Sequence, residues 1–277
     1  MAVTLQDRFS SIVDAKLRYS LVQRNGYVWN NRYEGSPKAG AVKVPVRDVE
    51  ATVGAYNKAS GIAGSTPTAT FLSVAIDKDY AVNEIIDGYD IASVPDNLVA
   101  DRLDSAGYSL AEQINSDGTA ELVAGGTTIQ KSGSDDKTAL SKSNVYGYFV
   151  NARTDLSKAK VPTTGRFALV SPDTMSVLIQ SSEFISASNL GDEVKQSGAI
   201  GQIAGFTVFE DNSLPATVDF IVGHPNWCCR IEEWAVEPHM QDLNGSGTFI
   251  GAVAVQGRKV YAHKVTKAGT VLVKINA

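Results

Sequence analysis

The chain has 277 residues, 43% apolar and 20% charged, which suits a folded chain of one large or two ordinary domains and argues against wholesale disorder. With 25 Lys and Arg against 30 Asp and Glu the formal charge is −5, which argues against a protein whose main task is gripping phosphates, since such domains carry a basic patch. The longest apolar runs, Phe167 to Val170 and the residues around Val253, fall far short of the roughly 18 residues that span a bilayer.

Met1-Ala-Val-Thr-Leu-Gln-Asp-Arg has no basic region followed by an apolar one, so no secretory signal is read. From Thr4 to Val22, Leu5, Phe9, Ile12, Leu17 and Leu21 fall near one helical face, which predicts an arm that must dock on something. Asn25 to Pro37 reads as irregular, with Tyr27, Trp29 and Tyr33 as exposed aromatics. Val42, Val44 and Val46 then alternate with Lys43, Pro45 and Arg47, and Leu72, Val74 and Ile76 repeat the pattern. These are two strands joined by a long excursion rich in Gly, Ser, Thr and Ala. A lone two-stranded ribbon is marginal in water, so this one needs a neighbour; if its own chain offers none, the neighbour is another copy.

A helix is predicted from Pro95, with Val99, Leu103, Ala106, Leu110 and Ile114 as its apolar stripe, ending near Asn115. Gly118 to Ser143, rich in Gly, Ser, Thr, Asp and Lys, reads as a loop or linker. A second compact region opens at Asn144, with Val145, Phe149, Ala152 and Leu156 at helical spacing. Phe167 to Val170 is a buried-strand candidate, and Ser171-Pro172-Asp173 is a good helix start, with Ser as N-cap and Pro at the first helical position. Further strands are predicted at Gly205 to Phe209, Val218 to Val222, Phe249 to Val255, Lys259 to Val265 and Thr270 to Ile275.

Groups that could carry chemistry are scattered. His224, His239 and His263 stand alone, none at metal-ligand spacing, and each reads as structural. Cys228 and Cys229 are adjacent, so a disulfide framework is excluded and folding in a reducing cytoplasm is expected. Both read as small buried hydrophobes. Asp77/Asp79, Asp135/Asp136 and Glu232/Glu233 are the acidic clusters; Asp77-Lys78-Asp79 lacks the spacing and the following Gly-x-Glu of a calcium loop and reads as a solvated strand end. Gly245 to Gly251 misses the dinucleotide fingerprint and reads as a loop opening into a strand. Trp227 and Trp234, seven apart, fall on one helical face and read as core. No catalytic, cofactor-binding or metal-binding residue is assigned, and no cofactor is expected.

The order of these pieces resembles the major capsid proteins of tailed bacteriophages. Tyr33-Glu-Gly35 into Gly40-Ala-Val-Lys-Val-Pro45 is similar to the entry of that family's extended loop. Ala75 to Tyr80 and Ile85 to Asp90 are similar to its step into a long spine helix, which ends here in Leu110-Ala-Glu-Gln-Ile114 with Asn115 in place of the common Asp. Val161-Pro162, Gly165-Arg166 and Leu169 to Pro172 follow. The string Gly198-Ala-Ile-Gly-Gln-Ile-Ala-Gly205-Phe-Thr-Val, with Asn212-Ser-Leu-Pro215, is the most specific match. Ile221 to His224 and Gln256 to Val260 complete a resemblance covering roughly residues 25 to 265.

The resemblance implies an α+β chain of the Hong Kong 97-type capsid fold. Its parts would be an N-terminal arm (1–35), an extended loop (36–75), a peripheral domain with the spine helix (76–140 and 225–277) and an axial domain (141–224). It implies a non-enzymatic head protein that self-assembles through pentamers and hexamers into an icosahedral virion shell around double-stranded DNA, with no membrane partner. Assembly would occur in the host bacterial cytoplasm with a portal, a maturation protease or decoration protein, and a separate scaffolding protein, because Met1 leads almost at once into the arm. Relatives that cross-link Lys to Asn give no grounds to assign that role to Lys43, Lys58 or Asn276. An encapsulin-type nanocompartment shell is the nearest alternative, and a soluble α+β enzyme or binding domain the next.

Overall fold

The structure, a computed structural model, describes residues 16, 18–23, 26–32, 40–46, 50–51, 53–64, 66, 70–93, 98–131, 133–181, 201–244 and 248–276. Strands β1 (Ala41–Val46) and β2 (Thr70–Ala75) form an antiparallel ribbon in which Val42 faces Val74 and Val44 faces Leu72. β3 (Lys78–Ile86), α1 (Gly88–Ser93) and α2 (Leu98–Gly125) follow, then the short strands β4 (Thr127–Thr128), β5 (Gln130–Lys131) and β6 (Ser134–Asp135). α3 (Val145–Lys158), β7 (Arg166–Val170), α4 (Pro172–Ile179), β8 (Gln202–Ile203), β9 (Phe206–Glu210) and β10 (Val218–Gly223) make up the middle of the chain. A single 3-10 turn (Pro225–Trp227) leads into β11 (Cys228–Asp242), β12 (Val253–Val265) and β13 (Val271–Ile275).

Two larger sheets organise these elements. A three-stranded antiparallel sheet runs β11–β12–β3, and a six-stranded sheet runs β4–β13–β10–β7–β9–β8. β4 and β13 therefore complete a sheet whose other strands come from between residues 166 and 223. On one face of the six-stranded sheet, Ala168, Val170, Phe220 and Val222 pack on Val145, Phe149, Ala152 and Leu156 of α3 and on Leu178 of α4. On the other face, Phe167, Leu169, Ile221 and Val273 pack on Leu122 of α2 and on Val28 and Trp29. With both faces covered, β7 is buried at every position, as its unbroken apolar run predicts. The N-cap at Ser171 also forms as predicted, its hydroxyl accepting from the Thr174 amide at 3.3 Å.

Four expectations are corrected. First, α2 continues through the stretch read as a linker and ends only at Gly125. Its residues Asn115 and Thr119 are polar yet 3% and 1% exposed, because partners distant in sequence satisfy them. Second, Trp227 and Trp234 lie in the 3-10 turn and on β11, not on a helix, and Trp234 is partly exposed beneath the Lys259 ammonium. Third, β12 is one strand across Gly257, where a side chain would press on Pro238 and Leu110. Fourth, Trp29 is fully buried, while Tyr27 is exposed as expected.

The ribbon also finds a neighbour at its root. Val44 and Val74 are buried against Cys229, Ile231 and Ala262 of the three-stranded sheet in the same chain. Most of the predicted arm helix, the Tyr33-Glu-Gly35 motif, the Pro95 helix start and residues 198–200 of the most specific string lie outside the described residues.

Candidate assembly surfaces

Beyond its root, the ribbon leads to a turn that is ordered by its own backbone. The Gly61 amide donates to the Asn57 carbonyl at 2.8 Å, and the Asn57 side chain accepts from the Ala59 amide at 2.8 Å. Gly61 takes a positive φ of 68°, which a side chain would strain. This turn presents apolar groups outward: Val53 is 94%, Tyr56 73% and Ile62 54% exposed, with Phe71 of β2 at 65%. Left in water, each of these side chains forgoes about 1.5–3 kcal/mol of burial, which makes the turn a candidate contact surface.

A second apolar group lies where β3 runs into α1. Ile85 and Tyr89 are exposed there, and the β11–β12 connection adds Phe249 and Ile250. Gly88 and Gly251 touch so closely that a Cβ on Gly88 would collide with the Gly251 carbonyl. The Asp87 carboxylate accepts from the Tyr89 amide at 2.8 Å, and the Asn244 side chain accepts from the Gly251 amide at 2.6 Å. These contacts tie Gly251 to Asn244 and seat it against Gly88.

The N-terminal segment lies along α2. Lys16 pairs with Asp101 at 2.7 Å and Arg18 with Asp104 at 2.6 Å. The Tyr108 hydroxyl donates to the Tyr19 carbonyl at 3.0 Å. Further along, the Gln23 side-chain nitrogen donates to Thr119 of α2 and, at 2.8 Å, to the Asp211 carboxylate just beyond β9. Its amide oxygen accepts from the Trp29 indole at 3.1 Å, and its backbone carbonyl accepts from Arg230 of β11 at 2.9 Å. One residue thus joins α2 to both large sheets.

A family model described as phage capsid protein matches residues 78–270. The chain belongs to the phage capsid protein family. Its fold is shared with a solved structure of Mycobacterium phage Che8, at 23% identity and a TM-score of 0.76, covering 98% of this chain and 96% of that one. It is shared too with the capsid of cyanophage P-SCSP1u, at 14% identity and a TM-score of 0.80, covering 98% and 93%. The capsid of an empty GTA particle matches at 10% identity and a TM-score of 0.67, covering 99% and 95%. The architecture is thus the mixed helix-and-sheet Hong Kong 97-type capsid fold. Comparison with curated proteins finds no match.

In this capsid-family chain the groups weighed for chemistry stand apart, some buried in the core and some on the sheet surface. Cys228 and Cys229 are fully buried, and burial pushes the Cys229 thiol up to about 12 and that of Cys228 higher still, so neither is a ready nucleophile. His263 is held neutral down to about 2, first by burial and then by the charges of Arg230, Lys78 and Lys259. Its Nε2 accepts from Arg230 Nε at 2.8 Å. His224 caps the 3-10 turn, its Nδ1 accepting from the Asn226 amide at 3.1 Å, and His239 stands on exposed β11. Asp79 pairs with Arg258 at 2.8 Å on the sheet surface, and Lys259 pairs with Glu232 at 3.0 Å. Among the described residues no three His, Cys, Asp or Glu side chains gather as a metal site, and no helix is long and apolar enough to cross a membrane.

The polar junction built on Gln23, Asn115, Thr119, Asp211 and Ser213 was not legible in the sequence, since its members come from three separate segments with no shared period. Gly118 was its one local trace: an interior helix glycine whose added Cβ would lie 2.7 Å from the Gln23 side chain.

Proposed function

We propose that this chain is the major capsid protein of a tailed bacteriophage, forming pentamers and hexamers that close into an icosahedral shell around double-stranded DNA. The family match across 78–270 carries the reading, and the exposed ribbon turn supports it on physical grounds. The work done is association. Each contact can be weak, since about 4 kcal/mol is only millimolar affinity, yet a closed lattice multiplies such contacts through effective concentration. Early assembly is then reversible and the finished shell durable.

In this reading the arm is 1–35, the extended loop 36–75, the peripheral domain 76–140 with 225–277, and the axial domain 141–224, with β13 crossing back to complete the axial sheet. The extended loop lies over an adjacent subunit and buries Val53, Tyr56 and Ile62 there. A separate scaffolding protein, a portal, and a maturation protease or decoration protein are the partners implied, assembly takes place in the host cytoplasm, and the subunit performs no catalysis. Electron microscopy of the purified protein tests the reading: capsomers or closed shells are expected, and a monomer that forms neither at any concentration overturns it. Deleting residues 50–68 is expected to leave a soluble folded subunit that no longer forms shells. Shells of normal size after that deletion would remove the loop from the assembly contact.

A further inference from the structure

We propose that residues 18–23 and 26–30 act as a strap, pinned by Gln23, that locks the angle between the two large sheets and ties that angle to the seating of the N-terminal arm. Gln23 is 3% exposed and lies in a slot that exists only because position 118 of α2 carries no side chain. A Cβ there would meet the Gln23 side chain at 2.7 Å and the Trp29 ring at 3.1 Å, both closer than ordinary packing allows. From this slot the Gln23 amide reaches α2 through Thr119 and the six-stranded sheet through Asp211, whose own amide donates to Val170 of β7 at 3.0 Å. Its carbonyl reaches the three-stranded sheet through Arg230.

The strap then continues as backbone. The Asn30 amide donates to the Cys228 carbonyl at 2.8 Å, and the Arg230 amide donates to the Asn30 carbonyl at 2.9 Å, so Asn30 pairs beside β11. Upstream, the same segment is held to α2 near the surface, by the ion pairs of Lys16 and Arg18 and by the Tyr108 hydroxyl on the Tyr19 carbonyl. Such pairs yield readily, whereas the buried pin does not unless its partners move with it. Changing the angle between the sheets therefore means unseating Gln23, and displacing the strap releases the sheets. The consequence for shell curvature rests on the capsid reading above; the strap itself does not.

α2 supplies its own control. Gly107 lies in the same helix with nothing within 4 Å of where a Cβ would stand, so Gly107→Ala should only strengthen the helix. Gly118→Ala carries the same intrinsic gain but crowds the Gln23 amide oxygen, which must shift off its partners, and presses on the Trp29 ring. In hydrogen-exchange measurements on the full-length subunit, Gly118→Ala and Gln23→Ala are expected to speed exchange of the Asn30 and Arg230 amides roughly ten- to a hundred-fold, the range expected of overpacking and local opening. Amides of α3 should keep their protection in both, and Gly107→Ala should leave Asn30 as in the parent. Unchanged exchange at Asn30 in Gly118→Ala and Gln23→Ala overturns the strap. On assembly, both variants should give shells of mixed diameter where the parent gives one. Faster exchange with parental, uniform shells would overturn the coupling to the sheet angle. A parent that forms no shells at all would count against the capsid reading and leave the exchange result standing.

Discussion

Lys274, on the last strand, has no solvent exposure, and its ammonium donates to the carbonyls of Asp136 at 2.7 Å, Thr138 at 2.9 Å and Ile275 at 2.7 Å. The Asp219 carboxylate lies 3.9 Å away and the Tyr148 ring 5.2 Å away. This one side chain fastens β13 to the segment entering α3. Lys274→Met keeps the length but leaves those carbonyls and Asp219 without their cation, and is expected to cost about 3 kcal/mol of unfolding free energy in urea titration of the subunit. Asp136 adds a pH dependence. Burial alone would raise its pKa, but the Thr138 hydrogen bonds, the Tyr148 hydroxyl and the Lys274 charge outweigh it and hold it at about 2, below the ordinary 3.8. A depressed folded value means stability present at neutral pH and lost as the pH falls from about 4 towards 2. Asp136→Asn, whose one amide oxygen can still accept from the Thr138 amide while its NH2 takes the place that accepted from the Tyr148 hydroxyl, is expected to flatten the fall of the urea midpoint across that window; an unchanged slope would remove Asp136 from the acid response.

Among elements, the N-terminal segment and α2 show how two strengths of contact divide one interaction. Asp101 and Asp104 are substantially exposed, so their pairs with Lys16 and Arg18 contribute about 0–1 kcal/mol each and are screened by salt. Asp101→Asn with Asp104→Asn is expected to leave the urea midpoint nearly unchanged while trypsin cuts faster at Lys16 and Arg18, and about 0.5 M salt should act on the parent in the same direction. Equal cutting rates in parent and variant would mean the ion pairs do not hold the segment. The contrast also explains what could be read from sequence. α3, β7 and α4 were legible because Val145, Phe149, Ala152 and Leu156, the run Phe167 to Val170 and the Ser171 cap each write their burial into neighbouring residues. The far half of α2 was not, because Asn115, Gly118 and Thr119 look like a linker until Gln23, Asp211 and Ser213 fill their needs from elsewhere. β11 failed for a related reason: its outer half is exposed and mixed in character, so the spacing of Trp227 and Trp234 imitated a helix. The outer turn of the ribbon was readable only as an excursion lacking cover.

At the scale of the whole molecule, that ribbon is divided by burial into a part that belongs to the subunit and a part that does not. Val44 and Val74 are 1% and 2% exposed against the three-stranded sheet, whereas Val53 and Tyr56 are 94% and 73% exposed. Folding therefore uses the apolar groups of the root and leaves those of the turn unburied. Tyr56→Ser removes an exposed side chain, so its effect on unfolding should stay within about 0.5 kcal/mol. If the turn is buried on a neighbouring copy, the same change withdraws about 1.5–3 kcal/mol of burial from each subunit added. That corresponds to roughly a ten- to hundred-fold rise in the protein concentration at which shells first form, since about 1.4 kcal/mol is a factor of ten. Light scattering against concentration reads the threshold directly, and urea titration of the same preparation reads folding. A raised threshold with an unchanged urea midpoint locates the turn in the subunit contact. A threshold equal to the parent's would take the turn out of the subunit contact and leave other exposed apolar groups, Tyr89 and Ile250 among them, to carry it.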